Sequence, residues 1–340
     1  METISKEKLK TILDKAKGKK IAVIGDVMLD RFFWGHVSRV SPEAPVPVVD
    51  VEDESFHLGG AANVANNLNA LGLKPLLFGA VGKDSSGDKF IDISNELGIE
   101  SKGLFRDVDR PTTVKTRIIG NNQHIVRLDR EVRAVISKDA EAAILESLMK
   151  EKELSGIIFG DYDKGTITEN MITEIIMNAK KKNIPVYVDP KYDNFFLYKN
   201  VTFFKPNRKE AGTALSMDIR EDEDIITAGK RLLEKIKPEN LLLTRGSRGM
   251  MLFESNGNIF SVPTIARHIA DVSGAGDTAI ASLAAAIAGG AKATEAAMIA
   301  NYAAGAVCEI PGIVSISEEL LNYTIKKSND LSLKKVETKK

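Results

Sequence analysis

The 340-residue sequence has one cysteine, Cys308, and no excess of charge of either sign. A single cysteine excludes an internal disulfide and a thiolate metal site, and it favours a reducing, cytoplasmic location. Lysine plus arginine and aspartate plus glutamate number 47 each, so the formal net charge is zero. Nucleic-acid-binding proteins usually carry a basic excess, so we expect no nucleic-acid partner.

Long apolar runs are also missing. No run approaches the ~20 residues that span a bilayer, so we expect no membrane partner. The lysine-rich first twenty residues lack the apolar core of a secretory signal. They predict instead a short amphipathic helix, whose apolar side is formed by Leu9, Ile12, Leu13 and Ala16.

Several motifs of known chemistry are absent. The sequence has no phosphate-binding P-loop, no Gly-x-Gly-x-x-Gly, no Gly-x-Ser-x-Gly around Ser273 and no His-Glu-x-x-His. The histidines are too scattered to predict a metal cluster; they are His36, His57, His124 and His268. Any phosphate chemistry must therefore use another type of site.

Short apolar runs alternate with helical patterns along most of the chain. The runs do not alternate strictly between apolar and polar residues, as is typical of strands buried on both faces. They are Ile21–Asp26, Leu76–Val81, Gly156–Asp161, Pro185–Asp189, Val201–Lys205 and Leu241–Thr244. This pattern predicts an α/β fold, a doubly wound, mostly parallel sheet with helices on both faces. The length fits two ordinary domains or one long α/β domain, and we expect a single domain over 1–340.

Polar residues follow five of these strands: Asp26, Asp161, Asp189, Asn207 and Thr244. Ligands of open α/β sheets bind outside the carboxyl ends of the strands, so these residues predict a crevice. The alternative is that Asp and Asn simply open turns.

Two β-rich stretches, about 31–56 and 108–130, interrupt the alternation. The first contains three prolines, and the second is a hairpin pattern with a turn at Gly120-Asn121-Asn122. We expect the two stretches to form a small β-sheet that covers the crevice as a lid. Extra edge strands of the main sheet are the alternative. The charged segment Lys326–Lys340 predicts a solvated terminus.

The most informative segment is a glycine-rich turn, Asp271-Val272-Ser273-Gly274-Ala275-Gly276-Asp277, which precedes an almost entirely apolar helix. The free N–H groups at a helix start favour anions, and glycine lets a phosphate approach closely. Asp277 would then lie beside bound phosphate, where it could take a proton from an attacking hydroxyl. The alternative is that Asp277 only caps the helix.

Three further segments are less specific on their own. Gly59 and Gly60 open another helix, on which Asn63 is polar and could reach a sugar hydroxyl. The other two segments are Lys205-Pro206-Asn207-Arg208-Lys209-Glu210 and Thr244-Arg245-Gly246-Ser247-Arg248-Gly249.

Together these segments resemble the PfkB family of ribokinase-like sugar kinases, from about Ile21 to Val314. The resemblance implies a doubly wound domain with a β-sheet lid, Mg-ATP as donor and a sugar hydroxyl as acceptor. It implies that Asp277 is the base and that Gly274, Ala275 and Gly276 form the anion hole. Sugar-binding positions would be Asp26, Asp30, Gly59, Gly60 and Asn63. Nucleotide-side positions would be Asn207, Glu210, Thr244, Gly246, Gly249 and Asn301, with Glu210 near magnesium. The family also allows a monovalent cation near Asp271.

Four stretches are similar to one subfamily, the heptose 7-phosphate kinases. They are Gly25–Arg31, Ser38–Val48, Arg110–Arg117 and Asp189-Pro190-Lys191. The resemblance implies phosphorylation of the anomeric hydroxyl of D-glycero-β-D-manno-heptose 7-phosphate, towards ADP-heptose and lipopolysaccharide core. It also fits a homodimer through the lid. Two departures are Asp163, where glycine is usual, and the lack of a His-x-Gly-His motif. We therefore expect no nucleotidyltransferase domain and a separate adenylyltransferase.

A phosphorylated acceptor needs cations for its distal phosphate. The candidates are Lys115, Arg117, Arg127, Lys164 and Lys191, with Asp189 beside the last of them. The alternative is that these are solvated surface charges. Other functions that fit the sequence are a fructokinase, ribokinase or nucleoside kinase of the same family, or a catalytically silent sugar- or nucleotide-binding regulator.

Overall fold

The computed structural model describes residues 3–264, 269–327 and 333–336. The helices in these ranges are α1 (Lys6–Ala16), α2 (Ala61–Ala70), α3 (Ser85–Glu96), α4 (Lys138–Met149), α5 (Glu169–Lys181), α6 (Arg208–Leu215), α7 (Asp222–Ile236), α8 (Ala275–Ala288), α9 (Ala293–Cys308) and α10 (Glu318–Lys327). The strands are β1 (Lys20–Gly25), β2 (Val27–Val40), β3 (Pro47–Gly60), β4 (Lys74–Gly82), β5 (Glu100–Asp107), β6 (Val114–Gly120), β7 (Gln123–Arg130), β8 (Leu154–Gly160), β9 (Val186–Asp189), β10 (Phe203–Phe204), β11 (Asn240–Thr244), β12 (Met250–Glu254), β13 (Ile259–Val262) and β14 (Lys334–Lys335).

The main sheet is mostly parallel, as the sequence predicts. Its order is β14-β13-β12-β11-β10-β9-β8-β1-β4-β5. The strands from β5 to β11 run parallel, whereas β12, β13 and β14 add as antiparallel strands at one edge. From β1 the chain extends the sheet first through β4 and β5, and later through β8 and its neighbours. The strand order therefore reverses between β1 and β8, and a doubly wound sheet binds ligands at such a point.

Each face of the sheet packs against its own layer of helices. In β1, Ile21 and Val23 belong to the core shared with α1, α2, α8 and α9, whereas Ala22 and Ile24 face the core of α4, α5 and α7. Successive side chains of a strand point to opposite faces, so a strand covered on both sides needs apolar residues throughout. This explains the continuous apolar runs in the sequence.

The two ends of the chain add to these layers. The predicted amphipathic helix is α1, and its apolar side is buried in the core. The expectation of a solvated terminus over 326–340 is wrong for part of that segment. Leu333 is buried and β14 pairs with β13, because an antiparallel edge strand can still accept a partner. Residues 328–332 and 337–340 lie outside the described residues.

A smaller, separate sheet has the strand order β3-β2-β6-β7. It contains both β-rich stretches that the sequence singles out, and its strands pair with one another instead of extending the main sheet. The prolines lie at the tip of the β2–β3 hairpin. The β6–β7 turn has φ values of 53° at Asn121 and 62° at Asn122, as tight hairpin turns require. Since β2 follows β1 after Asp26 alone, the small sheet rises directly from the reversal point.

Candidate active site

The carboxyl edge of the main sheet gathers the polar residues that the sequence places after the strands. Asp26 follows β1 and Asp161 follows β8, on the two sides of the reversal point. Asp189 ends β9, and Asn207 follows β10 and forms a parallel bridge to Thr244 at the end of β11. The predicted crevice residues therefore share one edge of the sheet.

The glycine-rich turn delivers the start of α8 to this edge. Gly274 is the N-cap and has a φ of 78°, a left-handed conformation that glycine adopts without strain. Thr278 N–H donates to the Gly274 carbonyl at 2.9 Å, which closes the first helical turn. The Gly276 N–H group lies in that first turn, where helix donors lack intrahelical partners and the helix dipole has its positive end, whereas Ala275 N–H donates to the Val272 carbonyl at 3.3 Å. The turn can therefore bind an anion.

Asp277 lies in the first turn of α8 and is only 8 % exposed. Its Oδ2 accepts a hydrogen bond from Asn63 Nδ2 at 2.8 Å, and its Oδ1 accepts one from the Tyr162 hydroxyl. Burial raises the pKa of Asp277 to about 6, against the opposing effect of these two hydrogen bonds. A carboxyl group with this pKa is ionised at neutral pH and holds a proton more readily than an ordinary aspartate, as suits a general base.

Lys205 is a residue whose role the sequence did not reveal. Its side chain is 3 % exposed and its Nζ lies 2.9 Å from Asp189 Oδ1. Both groups lie beside Gly276: a Cβ atom built there would be 3.7 Å from Lys205 Nζ and 3.6 Å from Asp189 Oδ2. A buried cation therefore lies next to the anion-binding turn. The fold brings Asp189, Lys205 and Gly276 together because β9, β10 and the start of α8 lie next to one another.

A cavity opens on the other side of the turn. Its wall combines the loop after β11 with the start of α8 and with α9. Asn301 belongs to this wall, and its Nδ2 donates to the Pro263 carbonyl at 2.6 Å. The lining residues include Thr244, Gly246, Gly249, Val272, Ala275, Gly276, Asn301 and Cys308. Four of the six residues predicted for the nucleotide side thus line one cavity next to the anion-binding turn, whereas Asn207 and Glu210 do not line it.

Asn207 and Glu210 begin α6 with reciprocal hydrogen bonds. Glu210 N–H donates to Asn207 Oδ1, and Asn207 N–H donates to Glu210 Oε2, both at 2.8 Å. Glu210 is buried, and its Oε1 forms an ion pair with Lys191. Burial alone would lower the pKa of Lys191, but nearby Asp189 and Glu210 raise it above its ordinary value. Lys191 therefore lies beside Glu210.

The small sheet presents charged side chains in register. Asp30, Lys115 and Asp129 are paired across β2, β6 and β7, and directly paired residues share a face. Arg117 and Arg127 form the next row on that face. On this face the Asp30 carboxylate lies against Gly59, just before α2, and Asn63 of α2 donates to Asp277, so the Asp30 end of this face is near the base.

Each cation on this face has a carboxylate partner. Arg117 forms an ion pair with buried Asp30, and Lys115 Nζ lies 3.3 Å from Asp129. Arg127 Nε lies 2.9 Å from the same Asp129. Lys164 is buried with its Nζ 2.7 Å from Glu131 Oε2. Arg127 is 57 % exposed and still fits the alternative of a solvated hairpin charge, whereas the other four predicted phosphate ligands are mostly buried and paired.

Asp26 holds the loop that follows β8. Its Oδ2 accepts from the backbone N–H groups of Tyr162 at 2.9 Å and Lys164 at 3.1 Å, and its Oδ1 accepts from Thr166 N–H at 3.0 Å. This buried carboxylate is thus already bonded to the protein on both oxygens. Asp26 therefore has a structural role in holding the loop after β8, and its sugar-binding role stays a prediction.

Asp163 belongs to the same loop and has a φ of 52°, which explains why glycine suits this position. Its carboxylate accepts from the N–H groups of Tyr192 and Asp193 at 3.2 and 3.3 Å. Burial raises the pKa of Asp163. The side chain therefore fixes the segment that carries Lys191.

The glycine pair before α2, Gly59 and Gly60, packs tightly against β2. Gly60 has a φ of 61°, and a Cβ atom there would lie 2.4 Å from the Asp26 carbonyl oxygen. A Cβ atom at Gly59 would lie 2.1 Å from Asp30 Oδ2. These contacts bring the start of α2, and with it Asn63, up to Asp277. The glycines are explained by this close approach, and their contact with a sugar stays a prediction.

In residues 3–264, 269–327 and 333–336, no three His, Cys, Asp or Glu side chains are arranged to hold a metal ion. In the same ranges, no helix has both the length and the apolar character that a bilayer crossing needs. His268 lies outside the described residues.

The doubly wound sheet, the separate small sheet and a buried carboxylate under a glycine-rich helix start define a ribokinase-like sugar kinase. Residues 18–319 match the pfkB family of carbohydrate kinases, and the chain belongs to this family. It is therefore a phosphotransferase that acts on a sugar.

Comparison with individual proteins agrees with this assignment. The chain is 44 % identical over 296 residues to the bifunctional protein HldE of Geobacter sulfurreducens, covering 87 % of this chain and 60 % of that protein. It is 39 % identical over 305 residues to the bifunctional protein HldE of Trichlorobacter lovleyi, covering 89 % and 62 %. The chain thus spans less than two thirds of the length of these curated relatives.

Solved structures share the fold. Phosphofructokinase-2 of Escherichia coli in complex with potassium superposes with a TM-score of 0.75 at 17 % identity, covering 92 % of this chain and 99 % of that one. Its complex with fructose-6-phosphate gives a TM-score of 0.74 at the same identity and coverage. The predicted ribokinase-like fold and the predicted family are confirmed.

Proposed function

We propose that this kinase transfers the γ-phosphoryl group of Mg-ATP to the anomeric hydroxyl of D-glycero-β-D-manno-heptose 7-phosphate. The product would be the 1,7-bisphosphate, an intermediate towards ADP-heptose and lipopolysaccharide core. The chemistry rests on one observation: the buried carboxylate of Asp277 lies in the first turn of α8, beside the anion-binding turn. The acceptor rests on the subfamily motifs and on the likeness to HldE proteins, whose kinase half is the heptose 7-phosphate kinase.

In the proposed reaction, Asp277 accepts the proton of the attacking hydroxyl as the new O–P bond forms and the bond to ADP breaks. The N–H groups of residues 274–276 hold the phosphoryl oxygens, and the Lys205 ammonium lies beside them. Phosphoryl transfer depends mainly on positioning and on stabilising charge, which this arrangement supplies. The small sheet would act as a lid that excludes water and so limits ATP hydrolysis.

The nucleotide would occupy the cavity between the β11 loop and α9, with Asn301 on the adenine side. Mg²⁺ is usually held by one or two carboxylates together with substrate phosphates and waters. Glu210 fits this role because it is the buried carboxylate at the start of α6, although both its oxygens have protein partners. When bound, the ion would neutralise charge on the phosphates. A monovalent cation near Asp271 is proposed from the family and from the potassium complex of the bacterial phosphofructokinase-2.

The distal phosphate of the acceptor would bind to the row of cations on the small sheet. Arg117, Arg127 and Lys115 lie on the face whose Asp30 end is near the base, and a phosphate there would compete with Asp30 and Asp129 for them. The carboxylate partners hold these cations in place before the substrate arrives. We favour the row on β6 and β7, because Lys164 is almost fully buried and Lys191 pairs with Glu210, which is proposed for the nucleotide side.

Alanine at Arg127 is expected to raise the KM for the phosphorylated acceptor by roughly tenfold or more, since a charge-assisted hydrogen bond contributes about 1.5–3 kcal/mol. The KM for ATP should stay within about twofold, because Arg127 does not line the nucleotide cavity. Steady-state kinetics with each substrate varied in turn would measure both constants. Arg220→Ala is the matched control, since Arg220 is also an exposed arginine paired with an aspartate. Equal KM values for Arg127→Ala and wild type would contradict this phosphate site.

An acceptor panel tests the proposed function directly. ADP release with Mg-ATP would be measured for heptose 7-phosphate, fructose 6-phosphate, fructose, ribose and adenosine. We expect strong selectivity for the heptose phosphate. Turnover with a neutral sugar or nucleoside alone would overturn the acceptor while leaving the sugar kinase intact. Turnover with none of them would favour a silent binding protein.

The surroundings of the reaction complete the proposal. We propose one kinase domain with a lid formed by about 31–56 and 108–130, acting in the cytoplasm. Adenylyl transfer to the product would be a separate reaction from the phosphoryl transfer proposed here. Pairing of two lids would give a homodimer, supported by exposed apolar side chains on the small sheet such as Trp34, Val51 and Leu128. A monomeric mass in solution would contradict the dimer.

A further inference from the structure

Tyr162 contacts the proposed base, and neither the motifs nor the family likeness gives it a role. It lies two residues beyond β8, at the point where the strand order reverses. Its backbone N–H donates to Asp26, its hydroxyl donates to Asp277 Oδ1, and the Lys191 ammonium lies 5.7 Å from the centre of its ring. One side chain therefore links the base to the cation that pairs with Glu210.

The hydrogen bond has a fixed direction. Burial and the neighbouring Asp277 raise the pKa of Tyr162 well above its ordinary value, so the phenol keeps its proton and acts as donor. On the other side of the carboxylate, Asn63 Nδ2 donates to Oδ2. Asp277 is consequently held at both oxygens, from α2 on one side and from the loop after β8 on the other.

We infer that Tyr162 is a positioning residue for the reaction: its hydroxyl fixes the carboxylate of Asp277 and stabilises its ionised form, and its ring supports Lys191. This inference rests on the proposed function, in which Asp277 is the base. It goes beyond that function because it gives the loop after β8 a part in setting the strength of the base.

The charges around Asp277 indicate how the Tyr162 hydroxyl should affect the pKa of Asp277. Asp189 on β9 raises the pKa of Asp277, and Lys205 after β10 lowers it. Burial lowers the pKa of Lys191, and Asp277 is one of the nearby charges that raise it, so these two side chains are also close. The hydrogen bond from Tyr162 acts in the same direction as Lys205, so its removal should make the carboxyl harder to ionise.

Phenylalanine at position 162 removes the hydroxyl and keeps the ring and the backbone contact with Asp26. We expect kcat to fall roughly ten- to a hundredfold, as for loss of one hydrogen bond to a charged group. The acidic limb of kcat/KM should move up by roughly one pH unit. The KM for ATP should stay within about twofold. The measurement is kcat and kcat/KM from pH 5 to 9 on the best acceptor.

Tyr198→Phe is the matched control. Tyr198 is buried and donates to a buried carboxylate, Asp161 Oδ2, at 2.6 Å, but it does not contact Asp277. Loss of that hydroxyl should lower stability and leave the acidic limb in its wild-type position. If Tyr198→Phe moved the limb as far as Tyr162→Phe, the effect of Tyr162 would be general to buried tyrosines and the inference would be wrong.

A second measurement needs no substrate. The difference in unfolding free energy between wild type and Asp277→Asn changes as pH rises from the unfolded to the folded pKa of Asp277, and it levels off above the folded pKa. The same difference is then measured with Tyr162→Phe in both chains. Levelling off at a higher pH supports the inference, and levelling off at an unchanged pH overturns it. Failure of the acceptor panel would instead overturn the proposed function, and this titration would still decide the role of Tyr162.

Discussion

Asparagine at position 277 is expected to lower kcat roughly 10²–10⁴-fold, the usual contribution of a general base. The new amide can still accept from Asn63 Nδ2 and can donate to the Tyr162 oxygen, so the site should keep its shape. Nucleotide and acceptor binding, measured by calorimetry, should therefore stay close to wild type. Full turnover in Asp277→Asn would show that another group accepts the proton.

The same substitution should stabilise the protein at neutral pH. The pKa of Asp277 is about 6 in the folded chain and has an ordinary value of 3.8. The folded state therefore binds this proton more tightly than the unfolded state. The contribution of Asp277 to the free energy of unfolding is greatest below pH 3.8 and falls as pH rises towards 6. An asparagine has no charge to bury, and we expect a gain on the order of 1–3 kcal/mol at pH 7.5. Urea unfolding at pH 5 and 7.5 checks the sign, because the gain should shrink at the lower pH.

Alanine at Gly276 is the second substitution with a large expected effect. Its methyl group would meet Asp189 Oδ2 at 3.6 Å and Lys205 Nζ at 3.7 Å, which are ordinary contacts. The fold should tolerate it, and alanine favours a helix over glycine by about 1 kcal/mol. The methyl would, however, occupy the space beside the first-turn N–H groups that phosphoryl oxygens need. We expect kcat to fall roughly hundredfold or more, as for loss of one oxyanion donor.

Gly274→Ala provides the contrast. Its φ of 78° strains any other residue, and a Cβ atom there would lie 2.9 Å from Asn63 Nδ2. This variant should lose both stability and turnover, whereas Gly276→Ala should lose turnover alone. Thermal unfolding and steady-state kinetics on the two variants separate these cases. Wild-type kcat in Gly276→Ala would contradict the anion-hole assignment.

Features that depend on neighbouring residues in the sequence could be predicted. The turn from Gly274 to Gly276, the apolar helix after it and the carboxylate of Asp277 lie within a few residues of one another. The parallel strands were visible because burial on both faces demands uninterrupted apolar runs. The separate small sheet followed from its prolines and from the turn at Asn121 and Asn122.

Features that depend on register or on distant segments could not be predicted. The pairing of Asp30 with Arg117 requires β6 to lie parallel beside β2, and no local pattern specifies that neighbour. Lys205 reaches Gly276 only because β10 ends next to α8. Tyr162 meets Asp277 across more than a hundred residues of chain. The edge strand β14 was missed because its lysines suggest a solvated tail, although buried Leu333 precedes it.

The order of strands in the small sheet has a consequence for how the chain folds. The β2–β3 hairpin joins neighbouring segments and can form early, but β6 reaches β2 only after the chain has passed through β4, α3 and β5. Contacts between remote segments form slowly because a long loop must close first. On the ribosome, the hairpin would emerge well before its partners, with one edge unpaired and open to aggregation. Completion of the small sheet is therefore a late kinetic step, and pulsed hydrogen exchange should protect β6 and β7 after β1 and β4.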